Sequence, residues 1–166
     1  MKILIITNHS YMLYRFRREL IARLQEEHEV VLSMPFVGHE EDFRAMGLRC
    51  IHTDVDRRGI DPRTDLKLMA TYRRLLRAER PDLVITYSIK PNIYAGFLCG
   101  VMGIPFCTNV QGLGTAFQRK GLAQFVTLLY RTIQNRLSSG PAAKAAPILS
   151  ALGLYLAFQA FAGMIL

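Results

Sequence analysis

Acidic side chains stop at Asp82. Residues 1–82 carry 15 basic and 13 acidic side chains, whereas residues 83–166 carry six basic and none acidic, an imbalance that makes up the net charge of +8. A basic half without acids suits an anionic partner: a phosphate ester, a nucleic acid or an anionic membrane surface. Nucleic acid is the least supported of these, because the chain has no dense Lys/Arg run and no recognisable nucleic-acid module. Cysteine is scarce too. Cys50, Cys99 and Cys107 are odd in number, lie in apolar surroundings and show no C-x-x-C spacing, so they read as small buried hydrophobes in a reducing compartment.

Missing motifs narrow the chemistry further. The first loop, T-N-H-S-Y-M, holds no glycine, so backbone cannot approach a pyrophosphate as it does in G-x-G-x-x-G, which argues against a nicotinamide or flavin enzyme. No acid precedes Glu19, which removes a phosphate-accepting signalling domain built on an acidic cluster at the strand ends. The Walker signature is absent. His9, His28, His39 and His52 are scattered, with no H-x-x-x-H or H-E-x-x-H pairing, so no metal and no bound cofactor are expected. The apolar run Ile3–Ile6 is too short for a secretory leader, which points to a cytoplasmic body.

What is present is alternation of strand and helix. Lys2 to Asn8 reads as a buried strand, followed by a helix with Leu13, Phe16, Leu20, Ile21 and Leu24 on its apolar face. Val30 to Met34 is a second strand, Glu40 to Met46 a short helix ended by Gly47, and Cys50 to Thr53 a third strand. Asp61–Pro62 starts a helix, a cap followed by proline at the first helical position; Leu68, Tyr72, Leu75 and Leu76 form its stripe and Pro81 closes it. Strand Asp82–Tyr87, a helix opening near Pro91 with Ile93, Phe97, Val101 and Met102 on its apolar side, and strand Phe106–Val110 follow. The pattern predicts an α/β fold: a Rossmann-like parallel sheet with helices on both faces.

In such sheets ligands bind beyond the carboxyl ends of the strands. The residues expected there are Asn8, His9, Ser10, Lys90, Asn92, Gln111, Gly112, Gly114 and Thr115, hydrogen-bonding groups plus one cation, suited to polyhydroxylated or phosphorylated ligands. His9 is the histidine placed for general acid–base work or for donating to a phosphate; the other reading is a cap-region histidine bonded to backbone. Asn8 and Ser10 either touch ligand or cap the following helix. Lys90 beside a helix N-terminus reinforces an anion site or stands solvated. Gly112 and Gly114 either supply turn geometry or admit backbone N–H groups to a ligand. Gly96 and Gly100, one helical turn apart, are read as allowing close helix–sheet packing.

Toward the carboxyl end, Leu122 to Leu137 is expected to form an amphipathic helix with Phe125, Val126, Leu129, Ile133 and Leu137 on one side. Ser138–Ser139–Gly140–Pro141 is linker-like, and the 22 residues 145–166 carry no charge. As a helix they would extend ~30 Å, enough for a bilayer core. The expectation is an apolar C-terminal helix that enters or lies on a membrane, the alternatives being a buried helix of another domain or a tail out of context. Arg131, Arg136 and Lys144 fit a cytoplasmic flank. The expected layout is a domain at 1–137, a linker at 138–147 and a hydrophobic tail at 148–166.

M-K-I-L-I-I-T, D-L-V-I-T-Y-S-I-K-P-N-I-Y-A-G and I-P-F-C-T-N-V-Q-G-L-G-T-A-F resemble the amino-terminal domain of family-4-like bacterial glycosyltransferases of the two-domain GT-B architecture, similar to enzymes that build capsular, exopolysaccharide or O-antigen units on a lipid carrier. The resemblance covers roughly residues 1–134, and K-P-N-I-Y and N-x-x-G-L-G are its more specific segments. It implies that Asn8, His9 and Ser10 face the donor diphosphate and that Lys90, Asn92 and Gln111 to Gly114 lie on the cleft floor. It departs from many relatives in the glycine-free first loop and stops near Gln134, before the domain that holds the donor and its acidic signature.

The expectation is therefore the acceptor-side half of a retaining, metal-independent glycosyltransferase, transferring a hexose from a nucleoside-diphosphate sugar to a lipid-linked glycan at the cytoplasmic face of the membrane. By itself such a half is expected to transfer little sugar. The rival expectation is a non-catalytic, membrane-anchored subunit that recruits a soluble donor-binding partner; half of a nucleotide-sugar epimerase is a weaker third.

Overall fold

A computed structural model describes residues 1–56 and 61–109. The expected loop Gln111–Thr115, the helix Leu122–Leu137, the linker and the apolar tail lie outside the described residues. In chain order the elements are β1 (Lys2–Ile6), α1 (Ser10–Glu27), β2 (Glu29–Met34), α2 (Glu40–Ala45), β3 (Arg49–His52), α3 (Pro62–Glu79), β4 (Leu83–Tyr87), α4 (Ile89–Met102) and β5 (Phe106–Asn109). The strands form one five-stranded sheet in the order β3-β2-β1-β4-β5, and every pairing is parallel.

Burial explains the composition of the strands. Ile3 to Ile6 and Leu83 to Tyr87 are buried throughout, as central strands covered on both faces must be. The register pairs Ile3 with Val30 on one side and with Leu83 on the other. Helix α1 packs on β2 and α2 on β3, while α3 and α4 pack together, α4 against β4 and β5. Right-handed crossovers running in opposite directions from β1 and β4 put these two pairs on opposite faces. The expected parallel sheet with helices is therefore the fold.

Helix boundaries follow local chemistry. Asp61 caps α3, accepting from the Arg63 and Thr64 N–H groups and from the Thr64 hydroxyl at 3.3, 3.2 and 2.6 Å, with Pro62 behind it. Gly103, at φ 70°, ends α4 by donating to Cys99 O. At the amino-terminal edge of the sheet, Glu79 is buried and takes Lys2 Nζ at 2.9 Å and Arg49 at 2.9 Å. That edge is locked by ion pairs.

Two helix faces differ from the sequence reading. On α1 the buried positions are Ser10, Leu13, Arg17 and Ile21, and Phe16 is 46% exposed. On α4 the buried set is Pro91, Ala95, Gly96, Leu98 and Cys99, while Phe97 and Val101 are exposed. Beyond Asn92 helix α4 carries no charged side chain and has apolar residues on every side, so hydrophobic spacing alone did not select its face. Small side chains did. A Cβ on Gly96 would stand 3.0 Å from Phe106 Cε2, a tight contact that the buried ring would have to yield to, so glycine favours close approach of helix and sheet there; Gly100 has nothing within 4 Å and plays no such part.

Candidate functional site

Strands β1 and β4 lie side by side, with Ile6 opposite Thr86. From their carboxyl ends the chain departs in opposite directions, through α1 to β2 and through α4 to β5. This is the topological switch point of the sheet, where the two loops diverge and leave a crevice. The crevice is lined by Thr7, Asn8, His9, Met12, Leu13, Tyr87 and Ser88, with a volume of about 40 Å³. Small-molecule sites enclose several hundred Å³, so this crevice alone is smaller than a ligand site.

Each flanking loop is held by specific bonds. Ser88 Oγ donates to Asn8 Oδ1 at 2.6 Å, tying the two loops across the crevice. Ser88 sits at φ 78°, ψ 158°, a backbone region costly for any residue but glycine. The Thr7 N–H continues the ladder to Ser33 O at 3.0 Å, and the His9 N–H reaches Thr7 Oγ1 at 3.3 Å. His9 is the N-cap residue of α1 but its side chain makes no capping bond; the imidazole stands edge-on to Tyr11, ring centres 6.2 Å apart, and borders the crevice.

The other expected residues divide. Ser10 is fully buried, and its hydroxyl accepts the Val37 N–H at 3.0 Å; it pins the loop after β2 and offers no surface to a ligand, correcting its assignment as a ligand contact. Lys90 is in the first turn of α4, and its Nζ meets Asp65 Oδ1 at 2.7 Å with both side chains largely buried. The ammonium therefore joins α3 to α4 where the sequence suggested an anion site or a solvated lysine. Asn92 donates from Nδ2 to Asn109 O at 2.9 Å, fixing α4 to the end of β5. Gln111, Gly112, Gly114 and Thr115 lie outside the described residues. Sequence reasoning missed Tyr87 and Ser88; the signal was that they end β4 as Thr7 and Asn8 follow β1. Among the described residues, no group of three or more His, Cys, Asp or Glu could hold a metal ion, and no helix is long and apolar enough to cross a membrane.

Comparison with known folds agrees with this architecture. MurG of Acinetobacter baumannii superposes with a TM-score of 0.52 at 16% identity, over 64% of this chain and 33% of that one. The UDP-GlcNAc 2-epimerase of Methanocaldococcus jannaschii gives 0.54 at 16% identity, over 80% and 37%. The C-terminal domain of a Pyrococcus furiosus hydrogenase gives 0.51 at 20% identity, over 66% and 90%. At these identities the likeness is one of fold, and the matched part spans about a third of MurG and of the epimerase. No curated protein matches the chain. Residues 15–148 match the model of the glycosyl transferase 4-like domain, and the chain belongs to that family.

Proposed function

We propose that this domain forms the acceptor-side wall of a glycosyltransferase cleft and works opposite a donor-binding domain. The donor is a nucleoside-diphosphate sugar and the acceptor a lipid-linked glycan of surface polysaccharide synthesis, at the cytoplasmic face of a membrane. One observation carries the reading: the crevice at the β1–β4 switch point is polar, framed by the Asn8–Ser88 bond and His9, and too small to hold a ligand unaided. The family membership and the fold shared with a UDP-GlcNAc epimerase support it.

Within that cleft His9 is the group for proton transfer or for a hydrogen bond to a phosphate or hydroxyl. Asn8 and Ser88 shape the two loops that frame the crevice. Transfer proceeds with retention and without a metal, through electrostatic stabilisation of the leaving diphosphate. The test is sugar turnover by the full chain mixed with a separately supplied donor-binding domain. His9→Ala is expected to lower it about 100-fold or more with the circular dichroism spectrum unchanged. Equal turnover by His9→Ala removes the role of His9; no turnover by the folded mixture with any nucleotide sugar removes the reading.

A further inference from the structure

Arg17 is one helical turn beyond Leu13 on α1, and only 8% of it is exposed. Its Nη1 donates to Phe16 O at 2.9 Å, its Cζ lies 5.7 Å from the centre of the Tyr87 ring, and its Nε is buried without a partner. No carboxylate meets it. Every Asp and Glu of the chain lies between residues 19 and 82, all among the described residues, and the ion pairs among those residues that involve Glu26, Glu29, Glu41, Asp42, Asp54, Asp65 and Glu79 go to cations other than Arg17. Residues beyond 109 hold no Asp or Glu.

A guanidinium cannot shed its proton to escape burial, and an unpaired buried charge is strongly unfavourable. Beside it, Tyr87 Oη and Asn109 Nδ2 are buried and reach no partner in good hydrogen-bond geometry, though Arg17 and Asn109 both lie close enough to the Tyr87 hydroxyl to favour its ionised form. Tyr87 and Asn109 pair in the β4–β5 ladder and so share a face of the sheet. Burial pushes the Tyr87 hydroxyl up to about 12 against the opposing pull of Arg17 and Asn109, so it remains a donor at neutral pH. Tyr87 is also a wall of the switch-point crevice. Long side chains on a helix lean toward its amino terminus, which for α1 is the crevice edge. Among the described residues, this corner holds donors and a positive charge answered only by Phe16 O and the Tyr87 ring.

We propose that Arg17 anchors a phosphoryl group of the ligand taken at the switch point, with the Tyr87 hydroxyl and the Asn109 amide as accompanying donors. The inference rests on the function proposed above, in which a donor diphosphate and a lipid-carrier phosphate both enter the cleft. The planar fork of a guanidinium matches two phosphoryl oxygens at once.

The test is calorimetric titration of the full chain with inorganic pyrophosphate, UDP and farnesyl phosphate, together with thermal melts, for wild type, Arg17→Lys and Arg17→Met. At least one probe is expected to bind wild type, about tenfold more weakly to Arg17→Lys and more weakly still to Arg17→Met. Free Arg17→Met is expected to melt no lower than wild type, since it loses an unpaired buried charge. Preference for UDP assigns the phosphoryl group to the donor, and preference for farnesyl phosphate to the lipid acceptor. If no probe binds wild type, or if both variants bind as wild type does, the Arg17 assignment is overturned. UDP binding that ignores the substitutions leaves the proposed function standing without Arg17. Arg17-dependent binding of farnesyl phosphate with no UDP binding does the reverse for the donor-facing loop. Arg17→Lys keeps the charge and the stem, and decides the matter if Arg17→Met does not fold.

Discussion

The Ser88 hydroxyl bonds the Asn8 side-chain oxygen at 2.6 Å across 80 residues of sequence, joining the two loops that diverge from the middle of the sheet. Ser88 makes this bond from a strained backbone, φ 78°. Ser88→Ala removes the bond and keeps the strain, so a loss of about 1 kcal/mol is expected in urea unfolding. Ser88→Gly also removes the bond but relieves the backbone, and is expected to be near neutral. Equal losses for the two substitutions would contradict a strained Ser88.

Two glycines of α4 are expected to respond with opposite sign. Gly96→Ala drives a methyl against the Phe106 ring, which at 4% exposure has little room to move, and is expected to cost about 1–3 kcal/mol. Gly100→Ala meets open space and should stabilise the helix by up to about 1 kcal/mol. Thermal melts of the two variants measure both. A stable Gly96→Ala protein would mean that α4 does not sit this close to β5.

The Asp61 cap carries a pH dependence. The Thr64 hydroxyl, then the Arg63 and Thr64 N–H groups, hold its carboxyl below the ordinary value of 3.8. The folded pKa is lowered, so the stabilisation is present above the unfolded value and is lost as pH falls through the folded one. Asp61→Ala is expected to melt below wild type at pH 7, the difference closing below about pH 4. Asp61→Asn keeps a cap without the titration. A gap between wild type and Asp61→Ala that stays constant down to pH 2 would refute this.

The cysteine thiols are expected to be inert in the folded protein. Burial pushes Cys99 up to about 12 and Cys107 up to about 11, and raises Cys50 as well, so thiolate is scarce at pH 8. Titration with a thiol-reactive disulfide should show slow reaction in buffer and rapid reaction of all three in denaturant. Fast modification of Cys99 under native conditions would count against its position on the buried face of α4.

Much of the fold was legible because its signals are local. Alternating strands and helices, the Asp61–Pro62 start, and the stripe Leu68, Tyr72, Leu75 and Leu76 on α3, all buried, were each readable within a few residues. Phe16 and the outer side of α4 were misjudged for a common reason. An apolar side chain next to the buried stripe has the right spacing, but only the neighbouring sheet determines which side turns inward. Arg17 shows the converse, since composition alone sends an arginine to the surface.

The site divides the same way. The carboxyl edge where Asn8 and His9 gather follows from strand direction, which alternation implies, and the absence of acid after Asp82 is a property of the chain alone. The partners did not follow. That Asn8 meets Ser88, Ser10 meets Val37, Lys90 meets Asp65, and Arg17 meets an aromatic ring and no carboxylate depends on strand order and helix placement. Hydrophobic spacing and capping act over one or two turns of chain, whereas the pairing of buried polar groups acts through space, and only packing decides which distant residues share a low-dielectric interior.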